Sequence, residues 1–196
     1  MSLFDAIRLA TRAHAGQTRE DGSAYIEHPL TVLRLLWRFN LDLPLEAYIA
    51  AILHDALEDT HVTYEELHLF AGSDIAAVVR VLTKDDTYYA LPQSMRELVY
   101  LKRIASINQM YPYALLIKMA DRLHNLSTCA ALPIQRRKRL LHETQTIYLP
   151  FLQSHILKTD SAIRESYQQC AENMERILSM AILLNSPAPQ LQTSLC

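Results

Sequence analysis

The sequence predicts an all-α protein, a single bundle of about eight to ten helices. Apolar residues recur at three- and four-residue spacing along most of the chain, the period of a helix with one buried face. Only 3 of the 196 residues are glycine, too few for the turns of a β-rich fold. Hydrophobic residues make up 50% and charged residues 20%, enough apolar material for one core. Residues 1–184 are therefore read as one domain. The tail 185–196, NSPAPQLQTSLC, has prolines and no period and is expected to be irregular.

Charge and cysteine usage exclude several classes. The 19 basic and 21 acidic residues leave a net charge of −2, so no global basic excess points to a nucleic-acid polymer or an acidic membrane as partner. Cys129, Cys170 and Cys196 are odd in number and lack a C-x-x-C pair, which fits reduced thiols better than disulfides or a thiolate zinc site. The N-terminal MSLFDAIRLATRAH reads as an amphipathic helix rather than a signal peptide, and no apolar run is long enough to span a membrane. A cytoplasmic location is expected. The oligomeric state is left open.

The elements follow in order. Residues 2–15 form a helix with Leu3, Ile7, Leu9 and Ala10 apolar. The polar stretch AGQTREDGSAY (15–25) is a loop, either a connector or substrate-facing. His28-Pro29 opens HPLTVLRLLWRFN, with Pro where its missing N–H does no harm and Leu33, Leu36 and Trp37 on the buried face. A helix beginning near Pro44 is expected to run through YIAAILHDALEDT (48–60). At about 100° per residue, it turns Leu45, Ile49, Ile52 and Ala56 to the core. His54, Asp55 and Glu58 lie on the other side, above Ala47, Ala50 and Ala51. Thr63 and Glu66 form a capping box for TYEELHLFA; Gly72 stops that helix, and Ser73 or Asp74 caps the next, through Leu82. Residues 83–94 read as a loop and 94–110 as a helix. Pro112 precedes YALLIKMADRLHNL, with Leu116, Met119, Leu123 and Leu126 inward and Lys118, Asp121, Arg122 and Asn125 on the opposite arc. Pro133 starts PIQRRKRLLHETQTIYLPF, whose RRKR run reads as a solvated face and which Pro150 interrupts. A last helix covers 160–184.

Four residues stand out together: His28, His54, Asp55 and Asp121. Two imidazoles and two carboxylates suit a divalent ion such as Mn²⁺, Fe²⁺ or Zn²⁺, with positions left for water, as in a catalytic site. Glu58 and Asp59, one turn beyond, suit handling of that water's proton.

The pieces HAGQTREDGSAYIEHP (14–29), AAILHDALEDTHVT (50–63), LTK (82–84), LLIKMADRLHNL (115–126) and ETQTIYLP (143–150) resemble the HD-domain metal-dependent phosphohydrolases, and more narrowly the hydrolase domain of RelA/SpoT homologues. The resemblance implies one HD-type domain over 1–184. It also implies removal of the 3′-pyrophosphate from ppGpp and pppGpp, giving GDP or GTP and pyrophosphate, typically with Mn²⁺. By the same resemblance, His28, His54, Asp55 and Asp121 hold the metal and Glu58 and Asp59 act on the water. Arg19 packs on the base, with Asn125 and Thr128 beside the nucleoside. Lys118 is a phosphate partner or a salt bridge to the carboxylates. A chain of this length resembles the stand-alone small alarmone hydrolases.

Two residues depart from the family pattern. Glu20 stands where lysine is usual, and Ser127 replaces an arginine, so two cations near the substrate are lost. They make (p)ppApp an alternative substrate. The likeness fades after Tyr148. Two other readings stand beside the first: an HD phosphohydrolase acting on other nucleotides, and a binding protein that has lost catalysis.

Overall fold

Ser2 starts the first helix, α1 (Leu3–Ala13), with a capping box: its hydroxyl accepts from the Asp5 N–H, and the Asp5 carboxylate accepts from the Ser2 N–H. The computed structural model describes residues 1–40, 42–159 and 161–185; the tail from residue 186, expected to be irregular, lies outside them. Among the described residues there are helices and turns but no β-strand, as glycine content and period predict. No described helix is long and apolar enough to cross a membrane. Cys129 and Cys170 are free and buried.

The polar loop after α1 is tied into a turn. Thr18 and Ala24 form an isolated antiparallel bridge, and Gly22 at φ +83° supplies the left-handed turn residue. The loop delivers the chain to α2 (Glu27–Phe39) and then α3 (Leu45–Leu53). Helix α3 is the centre of the bundle, packed by α1, α2, α6 (Ser73–Leu82) and α9 (Ala114–Ser127). Every residue from Ala47 to Leu53 is buried, each Ile or Leu contributing about 1.5–3 kcal/mol. Ala50 and Ala51 have no exposure, so a larger side chain there would overpack the bundle at about 1–3 kcal/mol.

The expected continuous helix over 48–60 is broken. Helix α3 stops at Leu53, and a short α4 (Ala56–Asp59) restarts after Asp55, whose backbone sits at φ −96°, ψ −2°. The cause is local: the His54 ring Nδ1 donates to the Ala51 carbonyl at 2.8 Å, competing with the backbone ladder. Two expected core residues also sit outside. Leu45, the first residue of α3, is 49% exposed. Trp37 is 42% exposed and rests edge-on against Tyr48, with ring centroids 5.8 Å apart.

Between α5 (Tyr64–Ala71) and α6 one glycine does two jobs. Gly72, at φ +89°, ends α5 and stands at the N-cap of α6, so neither Ser73 nor Asp74 caps as expected. The Thr63–Glu66 capping box of α5 is present. The stretch 83–94, expected as a loop, contains α7 (Asp86–Ala90), started by the Asp85 side chain accepting from the Tyr88 N–H. Helix α8 (Gln93–Ser106) follows. In α9 the predicted face of Leu116, Met119, Leu123 and Leu126 is buried. The helix from Pro133 becomes α10 (Ile134–Glu143), then a π turn (Thr144–Tyr148), then α11 (Leu149–Ile156) with Pro150 in its first turn. The interruption thus begins at Thr144, ahead of Pro150. Arg122 drives it: its guanidinium donates to Thr144 Oγ1 at 2.8 Å, the Leu140 carbonyl at 2.9 Å and Glu143 at 3.1 Å. Helix α12 (Ser161–Asn185) closes the bundle against α9 and α11.

Buried Glu97 ties the second half of the bundle to the first. Its carboxylate accepts from the Tyr88 and Tyr148 hydroxyls and from Lys84 Nζ at 3.1 Å. Burial alone would raise its pKa, but Lys84 and the two hydroxyls outweigh that and hold it down at about 2. A depressed folded value adds stability above the unfolded pKa, which is lost as pH falls through the folded one. We predict that Glu97→Gln lowers neutral-pH stability by about 3 kcal/mol and removes that part of the acid loss between about pH 4.5 and 2. Denaturant unfolding from pH 7 to 2 reads this, and a parallel pH dependence in parent and variant would refute it.

Candidate metal centre

The break after α3 sets the geometry of the site. On a continuous helix adjacent side chains diverge by about 100°. With the turn at Asp55, His54 Nε2 and Asp55 Oδ1 come to 3.1 Å. His28, at the start of α2, places its Nε2 at 3.1 Å from Asp121 Oδ1 and 3.4 Å from Asp55 Oδ2. The ligand atoms of His28, His54 and Asp121 all lie within 4.8 Å of one another, and Asp55 touches both histidines. The four residues singled out from the sequence are therefore brought together, three of them buried.

The donor set fits a divalent cation. A carbonyl only accepts, so His54 Nδ1 carries the proton in its bond to Ala51, and His54 Nε2 is buried with no hydrogen-bond partner. That orphaned nitrogen is aimed at two carboxylates, an arrangement suited to a mixed N/O ion site. Burial opposes charge on the imidazoles, yet Asp55 and Asp121 outweigh it, raising His28 and pushing His54 up to about 9. Burial likewise opposes ionisation of the acids. Lys118 and His28 hold Asp121 far below the usual range, and His54 and His28 do the same for Asp55. Protons on the imidazoles and a cation compete for the same lone pairs.

Each ligand candidate is held from behind. Asp121 Oδ2 accepts from Lys118 Nζ at 2.7 Å, and its Oδ1 accepts from Asn125 Nδ2 at 2.6 Å. Burial, His28 and Arg19 press the pKa of His124 down to about 4, so it is neutral at pH 7. His28 Nδ1 and His124 Nδ1 share a hydrogen bond at 2.6 Å, which His28 donates when its Nε2 lone pair faces a cation. The Tyr25 hydroxyl reaches Asp59 at 2.6 Å and Asp55 at 2.8 Å; a phenol has one proton, so it serves one carboxylate at a time. Gln17 fixes the same corner, donating to the Asp59 carbonyl at 2.7 Å and taking His14 Nδ1 at 2.8 Å. Glu58 is exposed, is not among the cleft-lining residues, and accepts from the Lys84 N–H at 2.8 Å; desolvation by neighbouring protein raises its pKa against that bond.

A cleft of about 650 Å³ opens beside the buried cluster. Tyr25, which bonds Asp55 of the cluster, lines it together with Asp59, Arg19, Asn125 and Thr128. Arg19 donates to Asn125 Oδ1 at 3.0 Å and to Thr128 Oγ1 at 3.2 Å, so these three expected substrate contacts form one unit. The polar 15–25 loop thus faces the cleft. Lys118 faces Asp121 and the Tyr100 ring. Sequence reasoning assigned no role to Tyr25, His124 or Gln17, although Tyr25 lies in the turn three residues before His28, and His124 follows Asp121 by one turn of α9. The RRKR run, read as a solvated face, contributes Arg136 and Arg139 to the cleft. No local signal marks that.

The HD domain family matches residues 6–155. The bifunctional (p)ppGpp synthase/hydrolase SpoT of Escherichia coli K12 is 34% identical over 161 residues, 81% of this chain and 23% of that protein. A guanosine-3′,5′-bis(diphosphate) 3′-pyrophosphohydrolase of Vibrio cholerae is 38% identical over 161 residues, 78% of this chain and 22% of the relative. One from Borreliella burgdorferi is 34% identical over 149 residues, covering 76% and 22%. The chain thus spans less than a quarter of the length of these relatives. Among solved structures, one described as a metazoan ortholog of SpoT that hydrolyzes ppGpp superposes with a TM-score of 0.68 at 22% identity, over 91% of this chain and 94% of that one. A Listeria monocytogenes protein gives 0.54 at 23% identity, covering 81% and 98%. At those identities the structural likeness establishes the fold. With the family match spanning most of the bundle and all four clustered residues, this chain belongs to the HD domain family.

Proposed function

We propose that this chain hydrolyses the 3′-pyrophosphate of (p)ppGpp-type alarmones, releasing GDP or GTP and pyrophosphate. The observation that carries the reading is the grouping of His28, His54 and Asp121, with Asp55 in contact with both histidines, beside a cleft lined by Arg19, Asn125 and Thr128. The names of the sequence relatives support the choice of substrate. His28, His54, Asp55 and Asp121 would hold one divalent ion, for which we propose Mn²⁺. When bound, that ion supplies an acidified water and neutralises charge on the phosphate.

The remaining work falls to the chain itself. Hydrolysis adds water's oxygen to the phosphorus on the ribose 3′-oxygen and breaks that phosphorus–oxygen bond, leaving a 3′-hydroxyl and pyrophosphate. Glu58 or Asp59 takes the one proton that the attacking water gives up, and that proton is returned to the departing 3′-oxygen. Desolvation makes Glu58 a stronger base than an open carboxylate, and the Lys84 N–H fixes its direction. Tyr25 and Gln17 hold Asp59 against the cluster. Arg19, Asn125 and Thr128 hold the nucleoside so that its 3′ side faces the acids, which converts a collision into a positioned attack. Asn125 also bonds Asp121, so the nucleoside contact and the ligand set share one side chain.

Product analysis of the Mn²⁺-loaded protein with ppGpp and ppApp side by side tests the reading. Pyrophosphate with GDP or ADP is expected, and the ratio of rates assigns the base. Orthophosphate alone, or no product from either, would overturn it. Asp55→Ala is expected to lose bound metal and turnover together. Glu58→Gln and Asp59→Asn keep the metal and lose about 10²–10⁴ in kcat. Metal analysis beside turnover separates the cases, and parent-like rates in both acid variants would end the assignment. His124→Leu strips His28 of its Nδ1 acceptor, for which we expect Mn²⁺ affinity to fall about 10–100-fold by calorimetry; unchanged affinity would remove His124 from the site.

A further inference from the structure

Helix α10 carries cations to a cleft whose acids already have partners. The cleft's charged lining comprises Arg19, Arg136 and Arg139 against Glu20, Asp21, Asp59 and Glu143. Glu143 accepts from Arg122 at 3.1 Å. Asp21 accepts from the Ser23 hydroxyl at 2.6 Å, and Asp59 from Tyr25. Glu20 is paired with Arg136 from the far side of the cleft. Arg139 has no ion-pair partner among the described residues. Arg19 is committed to Asn125 and Thr128.

We propose that Arg136 and Arg139 are the phosphate-binding arm of this cleft, taking the 5′-phosphates of the bound nucleotide, and that Glu20 is a built-in competitor holding Arg136 until those phosphates displace it. The proposal deepens the alarmone-hydrolase reading and rests on it for the nucleotide's orientation. With the 3′ side at Asp59 and the nucleoside beside Arg19 and Asn125, the 5′-phosphates fall to the cations that remain, and those are on α10. Ala131, Leu132 and Leu140 give the same cleft an apolar wall. The exchange is easy in both directions. Arg136 and Glu20 are 59% and 43% exposed, and such a pair adds little to stability. A phosphate offers guanidinium more charge than a carboxylate and the same two-pronged geometry. A carboxylate at position 20 therefore subtracts from phosphate affinity.

The test is calorimetric binding of guanosine, GDP and GTP to the protein as purified, without added metal, for the parent, Glu20→Gln, Arg136→Gln, Arg139→Gln and the Glu20→Gln/Arg136→Gln double variant. All three positions are at the surface, and thermal unfolding verifies that each variant folds. The parent is expected to bind GTP more tightly than GDP and GDP more tightly than guanosine. Each arginine variant should lose about tenfold for GTP with guanosine unaffected. Glu20→Gln should gain several-fold for GTP, and that gain should vanish once Arg136 is gone, because the competitor acts only through it. Parent-like GTP binding in both arginine variants, a Glu20→Gln gain that survives Arg136→Gln, or no GTP binding by the parent would each overturn the arm. Turnover of ppGpp is scored separately. Normal hydrolysis with indifferent arginines sinks the arm and leaves the hydrolase reading. The expected binding pattern without hydrolysis sinks the hydrolase reading and leaves a nucleotide 5′-phosphate site.

Discussion

Asp121 is a carboxylate buried to 4% exposure on a helix whose other faces are packed into the core, and the site is built around making that charge tolerable. An unpaired buried carboxylate would simply take up a proton. Lys118 and Asn125 prevent this from the same helix, one turn before and one turn after. His28 completes the set from α2. Because His28 comes from another helix, a slide of α9 relative to α2 would cost Asp121 one of its three partners. The packing of α9 against α2 and α3 thereby holds the His28–Asp121 contact as well as the core.

The constraint spreads outward along hydrogen bonds. Asn125 hands it to Arg19, whose loop is held by the Thr18–Ala24 bridge and the left-handed Gly22. The same loop brings in Gln17 and ends at Tyr25, so Asp59 is gripped through its carbonyl and its carboxylate by residues from one segment. On the other side Lys118 lies over the Tyr100 ring, and Lys84 reaches Glu97 while its own N–H holds Glu58. Each acid proposed for proton transfer is thus anchored to an element distant in sequence. Such a supporting shell keeps reacting groups in register within fractions of an ångström.

What could be read from the sequence follows the range of the interactions. The inward face of α9, the Thr63–Glu66 box and the Gly72 stop depend on neighbours within a turn, and they appear as expected. The break at His54–Asp55 does not follow from helical period: it depends on a ring bonding back to a carbonyl, and the alanine-rich run on either side favours a straight helix. The π turn at Thr144 escapes for a like reason, since its cause is Arg122, some twenty residues earlier. Tyr25 and His124 lie within the stretches that carry the family resemblance, but their partners are ring nitrogens and carboxylates that only the tertiary fold supplies. The run of four basic residues on α10 is uninformative by composition, and Glu20, the residue that gives Arg136 its meaning, is more than a hundred positions away.

Burial divides the site into two electrostatic regimes. The cluster of His28, His54 and Asp121 is buried, so its charges act at short range with little screening. The cleft is open, so its charges are screened and exchangeable. Placing Tyr25 and Asp59 at the boundary lets the same side chains touch both. On the proposed reading, a nucleotide would be drawn in by weak, replaceable pairs in the wet region, and only its reacting phosphate would meet the buried one. The wet region is the part free to vary without disturbing ligand geometry, and the two departures from the family pattern, Glu20 and Ser127, are exposed, whereas the clustered histidines and Asp121 are buried.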